Sequence, residues 1–117
     1  DGKDNASRME FDRAMDYAAR AGATIYTIGI DLSIVDLKTR SQLSRLALAT
    51  GGQAFFLPRG ADLSPVIAQI DQELRTQYLI AYTSNSTAPR DQFRRVNVRV
   101  KKANLEVRTV AGYFPRQ

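Results

Sequence analysis

The chain contains no cysteine and no histidine. Those two absences remove disulfides, thiolate nucleophiles, imidazole bases and the common zinc and haem ligand sets together, so any metal held here must be bound through oxygen. Long apolar runs are missing too. No window reaches the roughly 18 consecutive apolar residues of a membrane-crossing helix, and the apolar stretches near the start are broken by charge before they could serve as a secretion signal. Acidic residues are scarce in one region only. Up to Arg75 there are nine basic and ten acidic residues; beyond it there are eight and two, so the net charge of +5 resides entirely in the last third. A basic isoelectric point is therefore no argument for nucleic-acid binding by the whole chain, and the shift marks a boundary between residues 1–77 and residues 78–117.

What is present suffices for one hydrophobic core and not for two, since 117 residues are 44% hydrophobic. The opening Asp1-Gly2-Lys3-Asp4-Asn5-Ala6 is turn chemistry. Ser7 and Glu10 have the spacing of a capping box, and Phe11, Ala14, Met15 and Ala18 then repeat as one helical stripe that Gly22 ends. Thr24 to Ile30 is β-branched and apolar on both parities towards its end, the pattern of a parallel strand covered on both faces. A second helix carries Leu43, Leu46, Ala47 and Thr50 and stops at Gly51-Gly52. Gln53 to Leu57 is a short strand closed by Pro58-Arg59-Gly60. A third helix starts near Asp62 or Ser64, with Pro65 in its first turn and Leu63, Val66, Ile67, Ile70 and Leu74 along one face. This alternation predicts βαβ crossovers. From Tyr78 the period falls to two. Tyr78 to Tyr82, Val96 to Lys101 and Leu105 to Tyr113 predict a three-stranded antiparallel meander, its middle strand showing a basic wet face.

The D-G turn at Asp1-Gly2, the strand Thr24-Ile25-Tyr26-Thr27-Ile28-Gly29-Ile30 and the run Leu46-Ala47-Leu48-Ala49-Thr50-Gly51-Gly52-Gln53-Ala54-Phe55-Phe56 together resemble the second half of a von Willebrand factor type A domain. The tail, with Gln77-Tyr78-Leu79-Ile80-Ala81-Tyr82, Arg95-Val96-Asn97-Val98-Arg99-Val100 and Ala111-Gly112-Tyr113-Phe114, resembles the bacterial VWFA-related branch. The resemblance implies an α/β fold: a three-layer, Rossmann-like fragment of parallel strands flanked by helices, extended by the meander. It also implies a non-enzymatic, adhesion-type module that binds a protein partner and is secreted or periplasmic. The family's metal site takes Mg²⁺ (or Mn²⁺ or Ca²⁺) through a D-x-S-x-S loop, a Thr and the Asp of the D-G turn. Only Asp1 corresponds, so the resemblance implies a remnant of an incomplete site, with metal dependence confined to the intact domain. A start at Asp1 rather than at Met fits a piece of a longer protein. The missing fourth strand would leave the Thr24–Ile30 edge uncovered, and either a swapped homodimer through that edge or the chain's own meander folding back over it is the expected remedy.

The surface formed by Arg95, Arg99, Lys101 and Arg108, with Arg94 and Lys102 beside them, is either a partner-binding face or a solvated guard against edge pairing. No aromatic residues interleave with it to stack bases, which disfavours an oligonucleotide, although acidic-ligand or oligonucleotide binding remains the alternative to protein binding. A hydrolase segment is the other competing class. Ser41, Ser44 and Ser64 have neither a His nor a suitably spaced Lys, and Asp71 and Glu73, two apart on a helix, point to different faces. The triplets Asn5-Ala6-Ser7 and Asn85-Ser86-Thr87 read as turns.

Overall fold

A computed structural model describes residues 10–115. The N-terminal turn, the Ser7 end of the capping box, and Asp1 and Asp4 lie outside them.

Helix α1 (Phe11–Ala21) begins after Glu10 and ends at Gly22, which adopts the left-handed conformation (φ 66°) that a residue without Cβ enters at no steric cost. Its predicted stripe of Phe11, Ala14, Met15 and Ala18 is the half-buried side of the helix, and it packs against helix α2 (Leu37–Ala49). Strand β1 (Thr27–Ile30) and strand β2 (Ala54–Leu57) pair in parallel, with Thr27 opposite Ala54 and Ile30 opposite Leu57. β1 is shorter than Thr24–Ile30 because residues before Thr27 approach the end of α2 instead of a strand. The Ile25 amide donates to the Thr50 hydroxyl at 2.9 Å, and that hydroxyl donates in turn to the Ala47 carbonyl at 3.0 Å. Thr50 is thereby 3% exposed without an unmet polar group.

α2 makes the crossover between the two strands and lies on both of them. Its exit is tight. The Gly52 amide returns to the Ala47 carbonyl at 2.9 Å, and a Cβ at Gly52 would run into the Ile25 carbonyl. Helix α3 (Ser64–Arg75) carries Pro65 in its first turn, and the Asp62 carboxylate accepts the Ser64 amide at 2.9 Å. Of its apolar stripe, Val66 is buried and Ile70 half-buried, whereas Leu63, Ile67 and Leu74 face solvent.

The predicted three-stranded meander is not formed. The C-terminal sheet has two strands, β3 (Arg94–Arg95) and β4 (Gly112–Tyr113), antiparallel, with Arg94 opposite Tyr113. Tyr78 to Tyr82 joins no ladder, and Val96 to Lys101 continues β3 only through one bond, from the Val96 amide to the Ala111 carbonyl at 3.0 Å. The strand expected at Leu105 to Tyr113 is drawn elsewhere. Val110 bridges to Thr50, and the Ala111 amide donates to the Ala49 carbonyl, so this stretch spends its edge on the end of α2. Among the described residues no strand pairs with the second edge of β1. The buried set is small and mostly short side chains: Ala47, Val66, Thr27, Thr39 and Thr50, with Gly29, Gly52 and Gly112.

Candidate functional site

Two parallel strands that end side by side open a crevice at their carboxyl ends, the usual ligand position in open α/β sheets. Here it is an open depression of about 380 Å³ between the β1 exit and the β2 exit. The Asp31 amide extends the ladder by donating to the Leu57 carbonyl at 2.9 Å, and Asp31 itself is turned into the left-handed region (φ 58°). That conformation is uncommon outside Gly, and Asp tolerates it better than most residues. Arg40, from α2, lies 4.1 Å over the Phe56 ring and donates to the Leu32 carbonyl at 3.4 Å. The crevice thus offers one carboxylate, the Ser33 hydroxyl and one stacked cation. Among the described residues no cluster of three or more Asp or Glu could hold a metal ion.

A second polar constellation lies where the tail meets the α/β unit. Arg108 donates to Glu73 Oε1 at 2.5 Å and, through its other nitrogen, to Gln53 Oε1. Gln69 donates to Glu73 at 3.3 Å, and the Tyr26 hydroxyl donates to Glu73 Oε2 at 3.2 Å. Burial pushes the Glu73 carboxyl up, but the hydrogen bonds from Arg108, Gln69 and Tyr26 and the Arg108 charge outweigh it and hold the group below its ordinary value. Tyr26 is raised, first by burial and then by the Glu73 carboxylate, with Arg108 opposing. Beside this network runs a groove of about 300 Å³ walled by Gly51, Val96, Val98 and Val107.

The predicted basic face therefore divides. Arg95, Arg99 and Lys101 are exposed and make no ion pair among the described residues, alternating with half-buried Val96 and Val98. Arg108 is not with them, because the Glu73 carboxylate draws it inward. Arg94 also turns in. It donates to the Ser84 hydroxyl at 3.0 Å and the Ala88 carbonyl at 3.1 Å, closing the loop that precedes β3. Asp71 pairs with Arg75 at 2.8 Å while Glu73 faces Arg108, so the two carboxylates do point to different sides of α3. The sequence did not single out Tyr26 and Gln69 as Glu73 partners or Gln53 as the acceptor from Arg108 and Gln69. Gln69 and Glu73 stand at the i, i+4 spacing that could have joined them, whereas Tyr26 lies 47 positions from Glu73 and Gln53 lies 55 from Arg108, with no local pattern between them.

No family model matches the chain, and neither the curated proteins nor the solved structures contain a match to it.

Proposed function

We propose that the chain is a non-enzymatic protein-binding module built on the C-terminal half of a von Willebrand factor type A-like domain. In this reading the intact domain is a three-layer, Rossmann-like sandwich. Other strands complete the β1/β2 sheet, and Asp1 joins upstream oxygen ligands around Mg²⁺. The parallel pairing of β1 with β2 across the α2 crossover is compatible with that architecture.

The observation that carries the binding function is the sorting of the cations. Arg94 and Arg108 are consumed internally, whereas Arg95, Arg99 and Lys101 present three charges that have no ion-pair partner among the described residues, all within one exposed segment. Such a row suits an acidic surface of another protein, attracting it at long range and setting its register. Its test is a fluorescence anisotropy titration with a labelled polyglutamate peptide, a polylysine peptide and a single-stranded DNA of similar length. At about 0.15 M ionic strength, where the screening length is about 8 Å, polyglutamate is expected to bind best. The triple charge reversal R95E/R99E/K101E is expected to abolish that binding. Tighter binding of DNA, with affinity falling steeply with salt, would transfer the reading to the oligonucleotide alternative. The family assignment is tested separately by the residues encoded before Asp1, where a D-x-S-x-S loop and an apolar strand are expected and their absence would defeat it.

A further inference from the structure

Tyr78 to Tyr82 is the most exposed apolar segment described. Tyr78 is 94%, Leu79 98% and Ile80 71% exposed. The chain runs from residue 77 to residue 87 without helix, turn or bend, and no residue in it has positive φ. The backbone groups of residues 78–82 take no hydrogen-bond partner within the described chain. Its far end is tethered, the Tyr82 hydroxyl donating to that of Tyr113 at 3.3 Å with the rings edge to face. An unpaired, β-prone, apolar edge of this kind is the surface that proteins ordinarily cover or charge.

We infer that a second copy of this chain covers it, through a two-fold antiparallel ladder centred on Ile80. The sequence is nearly its own reverse there: Tyr78 would face the partner's Tyr82, Leu79 the partner's Ala81, and Ile80 its own counterpart. From Thr76 to Pro89 there is no charge to oppose the pairing. The neighbouring extended segment behaves oppositely. Two-fold pairing about Val98 would set Arg95 directly against Lys101, a like-charge pair that penalises the ladder. One segment is thus guarded against its own copy and the other is open to it. Such an isologous contact satisfies every donor and acceptor on the facing edges with a single patch.

The absence of native cysteine makes the test clean. Single-cysteine variants are oxidised under mild conditions, and mass is followed by light scattering against concentration. Ile80→Cys is expected to form a disulfide-linked dimer quickly. Tyr78→Cys alone is expected to react slowly, while a mixture of Tyr78→Cys and Tyr82→Cys yields the mixed dimer. Ile80→Lys is expected to shift the parent's dimer to monomer with an unchanged far-ultraviolet spectrum. A parent that stays monomeric overturns the proposal. If its amides at 78–82 are then protected from exchange, the chain's own edge is the occupant; if they exchange freely, the segment awaits a different protein. Equal cross-linking of Tyr78→Cys and Ile80→Cys, or a dimer that survives Ile80→Lys, overturns the ladder as well.

Discussion

Glu73 shows how one side chain can tie a tail to a fold. Its carboxylate accepts from Gln69 of its own helix and from Tyr26 and Arg108 on two other segments, and at 22% side-chain exposure it is only partly reached by water. Removing Arg108 would leave that charge without its main donor, an arrangement costing on the order of 1–3 kcal/mol. Arg108→Ala is therefore expected to lower the urea midpoint of unfolding without changing the slope. The lowered carboxyl value has a definite pH consequence. Between the folded value and the ordinary 4.5 the unfolded chain binds more protons, so this contribution is whole above 4.5 and is lost as pH falls through the folded value. Glu73→Gln should flatten that acid limb of stability, and a variant whose profile runs parallel to the parent's would show that Glu73 is not the titrating group. The position of Arg108 could not be read from its alternation with Val107, because the partner that turns it lies 35 residues away. Arg95 and Arg99 have no such partner among the described residues, and for them the alternation was sufficient.

Among the elements, local signals decided the helices. The Phe11 to Ala18 stripe, Gly22, Pro65 and the pair Gly51-Gly52 each act within one or two turns, and α1, α2 and α3 begin or end where these residues allow. The parallel strands were legible for a related reason, since β-branched residues bounded by Gly and Pro leave few other conformations. The meander was not. A strand is stabilised by a neighbour rather than by its own sequence, and the neighbour needed by Tyr78 to Tyr82 is not supplied by residues 96–110. Those residues bind the end of α2 and α3 instead. The exit of α2 is the element on which most of this depends, because Gly52 brings the Ile25 carbonyl closer than any Cβ permits. Backbone cannot yield as a side chain can, so Gly52→Ala is expected to cost about 2 kcal/mol or more. It should also accelerate amide exchange at Thr27 and Gly29. A loss confined to the helix, with those amides still protected, would argue against the close approach.

Across the whole molecule the chain resolves into an α/β unit, from α1 to α3, and a tail returning to it at three places: the Phe114 ring under the Arg20 guanidinium of α1 at 3.8 Å, the Thr50–Val110 bridge, and the Arg108–Glu73 pair. The candidate crevice at the strand ends follows from the parallel pairing of β1 and β2, although no site there was read from the sequence. The polar network at the tail was not legible either, because it exists only once all three returns are made. These returns close a noose: the chain leaves at Thr76 and is fastened again from Arg108 to Phe114. A protease site inserted between Asn85 and Ser86 would cut that noose at exposed positions inside the loop that Arg94 clasps, leaving the three returns themselves in place. The severed C-terminal piece should then stay with the rest through native gel filtration and part from it only in urea. Fragments that separate without denaturant would mean that covalent continuity, rather than the three fastenings, keeps the tail in place.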